Sequence, residues 1–189
     1  MEAFLISTGV VALAEIGDKT QLLALILAAR YRKPLPIVAG IFVATVINHA
    51  LAGAVGTWLM QLIGPETMRW ILGISFIAMA GWMLIPDKLD DDDTRYTERF
   101  GVFGTTVFVF FLAEMADKTQ IATVALAARF AADYWWVIAG TTVGMMLANA
   151  PVVWLGERAA KALPVHLVHR VAASIFVVLG LIALFGMGH

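Results

Sequence analysis

Glu15-Ile16-Gly17-Asp18-Lys19-Thr20-Gln21 returns as Glu114-Met115-Ala116-Asp117-Lys118-Thr119-Gln120. Both copies interrupt stretches that otherwise read as membrane-spanning helix. A charge near the centre of a bilayer costs roughly 2.5–3.5 kcal/mol even on the translocon-insertion scale. Two matching clusters kept at that cost point to function. Their repetition points to one site built from two related halves.

The surrounding composition fits a membrane interior. The 189 residues are 61% hydrophobic and 14% charged, with a mean hydropathy of +0.85. A typical soluble domain is about 25% charged. There are no cysteines, so disulfides, thiolate metal sites and cysteine nucleophiles are excluded. A net charge of −1 with no basic stripe gives no sign of nucleic-acid binding. The start, Met1-Glu2-Ala3-Phe4, lacks the basic region of a signal peptide, so the first apolar segment is expected to be retained.

A span needs about 20 mostly apolar residues. Six are expected, over about 4–29, 35–64, 70–85, 100–128, 134–156 and 171–187. The fold class is therefore an all-α integral membrane protein of six transmembrane helices. Pro34, Pro36, Pro65, Pro86 and Pro164 lie near expected span ends, while Pro151 lies inside the fifth and is expected to kink it. Tryptophans 58, 70, 82, 135, 136 and 154 suit interfacial anchoring in part. Gly40, Gly53, Gly56, Gly140 and Gly144 suit close helix packing.

The repeat reaches beyond the motif. Leu13–Arg30 aligns without gaps on Leu112–Arg129, with eleven of eighteen residues identical. Val38-Ala39-Gly40 then resembles Ile138-Ala139-Gly140, and Asn48 corresponds loosely to Asn149. This predicts a first three-helix repeat over 1–86, an acidic loop over 87–99 and a second three-helix repeat over 100–189. Three spans per half is an odd number, so the halves enter the membrane in opposite senses as inverted-topology repeats. Nine lysines and arginines fall in loops on one side against Arg69 and Arg129 on the other. That bias places both termini outside and the acidic loop in the cytoplasm.

Glu15 and Asp18, three residues apart on a helix, would share a face, as would Glu114 and Asp117. Four carboxylates meeting at mid-membrane would bind a hard divalent cation. Thr20, Gln21, Thr119 and Gln120 are candidate neutral oxygen donors, and Lys19 and Lys118 candidate coupling groups. Gly17 would permit a local helix break exposing carbonyls, an idea that Ala116 weakens for the second half. Four carboxylates and two lysines leave −2, matching one divalent cation or two protons. Metal and protons would then compete for the site. Outward movement of a divalent cation against an inside-negative potential costs about 2 × 2.3 kcal/mol per 100 mV. Export thus needs an opposing downhill flow, with protons the candidate.

Blander readings stand beside these. The Glu15–Lys19 and Glu114–Lys118 spacings also suit intrahelical ion pairs. Asn48 and Asn149 suit ligation, gating or interhelical adhesion. His49 suits titration or metal binding but, without a counterpart in the second half, is read first as packing, and Met145-Met146, able to offer soft sulfur, are read as filling space. The Asp90–Asp93 run is read as a solvated linker and Glu157-Arg158 as an interfacial pair.

The paired E-x-G-D-K-T pattern, the six spans and the charged central segment resemble a family of cation/proton antiporters. That family includes bacterial manganese exporters and Golgi Mn2+/Ca2+ transporters. The resemblance covers essentially the whole chain, with one departure, Ala116 in place of the second motif's usual glycine. It implies export of Mn2+, with Ca2+ as the second candidate, in exchange for H+. It implies that Glu15, Asp18, Glu114 and Asp117 bind the ion. It also implies a non-enzymatic protein of the bacterial inner membrane, whose partners are the lipid bilayer and the cation. A divalent-cation channel and an exporter of another cationic solute, such as a basic amino acid, are the alternatives. The sequence leaves monomer and homodimer open.

Overall fold

The computed structural model of the chain describes residues 1–85, 100–115, 117–156 and 165–185. The acidic segment 87–99, Pro86, Ala116, Glu157-Arg158, Lys161 and Pro164 lie outside the described residues, together with the expectations attached to them.

Among the described residues every regular element is a helix, and the order repeats. The first series is α1 (Glu2–Glu15), α2 (Lys19–Tyr31), α3 (Pro34–Ile63) and α4 (Pro65–Trp82). The second is α5 (Gly101–Glu114), α6 (Lys118–Arg129), a 3-10 turn at Ala131–Asp133, α7 (Tyr134–Leu155) and α8 (Val165–Phe185). Pro34 and Pro65 open their helices, where a missing N–H costs nothing. α7 continues as α-helix past Pro151. The helix expected from Trp70 begins earlier, at Pro65. Among the described residues three helical stretches are long and apolar enough to cross a bilayer: Pro34–Ile63, Ala131–Leu155 and Val165–Phe185. Gly101–Glu114 is a shorter apolar helix.

The stretches expected as continuous first and fourth spans are each two short helices. Ile16 (φ −66°, ψ 116°) and Asp18 (φ −78°, ψ 166°) leave helical geometry between α1 and α2. Met115 (φ −61°, ψ 126°) and Asp117 (φ −82°, ψ 166°) repeat those angles between α5 and α6. The N–H of Asp18 donates to the Glu15 carbonyl at 3.1 Å, and that of Asp117 to the Glu114 carbonyl at 3.2 Å. The second break thus forms in a sequence with alanine in place of the glycine. What the two breaks share is the aspartate that starts the next helix, a residue type that favours helix N-caps.

Packing follows the repeat. α1 lies on α7 as α5 lies on α3, and α6 meets α3 as α2 meets α7. Glycine sets the closest crossings. A Cβ at Gly40 would stand 2.7 Å from Thr106 Cβ, and one at Gly140 would stand 2.5 Å from the Phe4 carbonyl oxygen. α4 and α8 pack on each other but sit unevenly on the rest. α8 runs along α1 and α4 along α6, whereas contact of α4 with α5 or α8 with α2 is slight or absent.

The molecule buries the charged and polar groups of its motifs and exposes many of its large apolar side chains. All six tryptophans are exposed, as are Phe42, Leu62, Leu147 and Phe185. Glu15, Asp18, Glu114, Asp117, Lys118, Asn48, His49 and Asn149 are buried. Hydrocarbon solvates the first group and excludes the second.

Candidate functional site

Each break ends one helix on a glutamate and starts the next after an aspartate. Glu15 and Glu114 close α1 and α5, where unpaired carbonyls and the helix dipole favour a cation. Asp18 and Asp117 are the N-cap residues of α2 and α6, yet neither side chain caps its helix. A side-chain cap is worth about 1 kcal/mol. Each carboxylate faces the other half instead. Lys118 Nζ lies 3.3 Å from Asp18 Oδ1, and Lys19 Nζ lies 3.6 Å from Asp117 Oδ1. The pairs are reciprocal but not equal, since the Lys118 side chain is 3% exposed and that of Lys19 is 24%.

These pairs correct two expectations. The lysines do not form i, i+4 pairs with Glu15 and Glu114, because the breaks remove the shared helix face and each lysine reaches the opposite aspartate. For the same reason Glu15 and Asp18 do not share a helix face; the turn brings them together. Glu15, Asp18 and Asp117 each offer a carboxylate oxygen within 4.8 Å of the others. Oxygens on opposite sides of an ion bound at about 2.3–2.6 Å are roughly 4.6–5.2 Å apart. The three therefore fit one coordination sphere. Glu114 is not in that group. Its Oε1 shares a hydrogen bond with His49 Nε2 at 2.8 Å, both side chains being fully buried.

Glu15 is held from both halves. Thr20 Oγ1 donates to Glu15 Oε2 at 2.5 Å, and Asn149 Nδ2 makes a longer contact to the same oxygen at 3.4 Å. Asn149 also donates to the Met145 carbonyl at 3.1 Å, with Met145 Sδ at 2.9 Å. Asn48 does not reach a motif carboxylate in the same way; its amide donates to the Phe111 carbonyl at 3.1 Å. Gln21 is committed to the scaffold. It accepts from the Gly17 N–H at 2.9 Å and donates to the Ala148 carbonyl at 3.0 Å. Thr119 is buried and Gln120 half-buried near the second break.

His169 is the residue that reading the sequence missed at the site, and His49 the one it favoured as packing. His169 is on α8, where its Nε2–H donates to the Ile16 carbonyl at 2.7 Å. It satisfies a carbonyl freed by the first break. Gly17 itself sits at φ +82°, and a Cβ there would collide with Val165 Cγ1 and approach His169 Nε2 to 3.3 Å. Gly17→Ala is therefore expected to destabilise the protein by about 1–3 kcal/mol, read as a lowered thermal midpoint in detergent. The alanine native to position 116 gives no licence for one at 17, because α8 packs against the first break.

Comparison with known proteins identifies a family for the chain. The family described as "Divalent cation/proton antiporter GDT1" matches residues 3–91 and 102–189. The chain is 50% identical over 185 residues to a Vibrio cholerae protein named "Putative manganese exporter", covering 98% of this chain and 92% of that one. It is 23% identical to the Saccharomyces cerevisiae "Divalent cation/proton antiporter GDT1" over 239 residues, covering 98% of this chain and 84% of the yeast protein. It is 28% identical to the Synechocystis "GDT1-like protein sll0615" over 180 residues, covering 83% of this chain and 84% of that one. No solved structure gives a significant match. With nearly the whole chain matched in two blocks, each holding one copy of the motif, the protein belongs to the GDT1 family of divalent cation/proton antiporters, a family of transporters rather than enzymes.

Proposed function

We propose that the protein exports Mn2+ from the cytoplasm in exchange for protons, with Ca2+ as a second substrate. The site comprises Glu15, Asp18, Glu114 and Asp117. The observation that carries this reading is the reciprocal pairing of the two breaks. Carboxylates from both halves meet within one ion's reach, and each aspartate has the other half's lysine beside it. The lysine ammonium groups balance part of the charge while the metal is away. A divalent cation then adds the two charges that four carboxylates and two lysines leave uncompensated. The name carried by the Vibrio cholerae relative supports manganese over calcium, since both ions accept oxygen ligands.

The same reading takes residues 1–86 and 100–189 as inverted three-span halves flanking a cytoplasmic loop at 87–99. The broken helices together form the first span of each half. Both termini are periplasmic in a bacterial inner membrane, by the lysine and arginine bias. The repeated order of helices supports this arrangement. The one-sided seat of α4 and α8, along α1 and α6, supports alternating access. The opposite access state would bring that pair against α2 and α5.

Purified protein in vesicles with a trapped pH-sensitive dye tests the function. An imposed pH gradient is expected to drive uphill Mn2+ movement with counterflow of protons. Ca2+ should compete, and lysine or arginine should not. Mn2+ flux that only ever runs down its own gradient would make the protein a channel and refute the exchange.

A further inference from the structure

We infer that His49 is the positioning residue for Glu114, holding one carboxylate oxygen so that the other is presented to the metal. The inference rests on the proposed role of Glu114 as a ligand. His49 lies on α3 in the first half, fully buried, and its Nε2 meets Glu114 Oε1 at 2.8 Å. A carboxylate that ligates a metal is ionised and only accepts, so in that role Glu114 takes its hydrogen bond from the imidazole. The other oxygen, Glu114 Oε2, is buried without a hydrogen-bond partner among the described residues.

Glu15 shows the same division of labour. Its Oε2 takes the Thr20 hydroxyl and the longer Asn149 contact, while Oε1 is buried without a hydrogen bond among the described residues. Each glutamate thus has one oxygen secured and one bare. Metal-ligating carboxylates are ordinarily oriented by such donors, and losing one typically costs 10–100-fold in metal affinity. The two halves reach this end with different residues. Asn149 reaches across from α7 to Glu15, but its counterpart Asn48 spends its amide on the Phe111 carbonyl. His49, one residue further on, supplies the donor that crosses to the second half. Glu114 stands apart from the three grouped carboxylates and is the ligand with the furthest to be misplaced. Without a donor its carboxylate is free to rotate away.

The test compares His49→Gln with His49→Met. The two replacements are alike in length and shape, and only glutamine keeps an N–H donor at the reach of Nε2. Mn2+ alone is titrated into purified full-length protein, and initial transport rates in vesicles give KM and the maximal rate separately. His49→Met is expected to raise the Mn2+ Kd and KM by about 10–100-fold. His49→Gln is expected to stay within about threefold of the parent. Should His49→Met fail to purify as folded protein, His49→Asn replaces it, because its shorter amide cannot reach Glu114, and it is expected to show the same loss. Parental affinity in His49→Met or His49→Asn overturns the inference. So does a loss in His49→Gln equal to that of the donor-free variant, which would make the imidazole itself the working group. Glu114→Gln, run alongside, separates the two readings. If it binds Mn2+ like the parent, the four-carboxylate site is wrong. If it loses binding while His49→Met keeps it, the positioning role alone falls.

Discussion

Asp117→Asn is expected to lower Mn2+ transport by about 100-fold or more, equivalent to ~2.7 kcal/mol of lost ion binding, while the protein remains folded. Asparagine keeps the shape and one oxygen but removes a negative charge from three carboxylates lying within 4.8 Å. Asp117 is the informative aspartate because of its partner. The Lys19 side chain is 24% exposed, so loss of the carboxylate leaves a less deeply buried charge than it would at Lys118, which is 3% exposed. Asp18→Asn would instead strand Lys118 at 3% exposure, and loss of transport there would mix binding with folding. Glu15→Gln is the second clean variant, because the amide oxygen still accepts from Thr20. Transport in vesicles, with thermal midpoint and elution profile as folding controls, checks both. Near-parental efflux in both variants would remove the carboxylate site as an explanation of function.

Lys118→Met is expected to destabilise the protein by ~3–5 kcal/mol, the usual cost of breaking a buried ion pair on one side. Its ammonium is the cation beside Asp18, in a setting that already contains Glu15 and Asp117. Methionine matches its length and apolar stem, so the loss is of charge rather than volume. Lys19→Met should cost less, because its ammonium is less deeply buried than that of Lys118, although it also leaves the buried Asp117 without its cation. The sequence gives both lysines the same motif position, so equal treatment would be the natural guess. Denaturation in detergent of the two variants measures the difference. Equal midpoints would mean that burial of Lys118 does not set the cost.

The comparison of halves explains what the sequence showed and what it hid. The repeat paired Glu15 with Glu114 and Asp18 with Asp117, and the geometry brings three of the four within reach of a single ion. It also paired Asn48 with Asn149, where the structure separates their roles. His49 aligned with nothing and was read as packing; it sits against a motif glutamate because α3 crosses the end of α5. His169 gave no signal either, since its partner is a backbone carbonyl 153 residues earlier. Contacts of that kind depend on where α8 docks.

By itself, the sequence determined the helical class, the expected membrane setting and the four acidic candidates. Each of these follows from local cost: apolar length needs hydrocarbon, and a charge within it needs a reason. The tertiary structure decided the pairing. Helix breaks turned an apparent i, i+4 salt bridge into cross-half ion pairs, left Lys118 more deeply buried than Lys19, and moved Glu114 to His49. Those choices depend on distances between helices far apart in the chain, which spacing along one helix cannot encode.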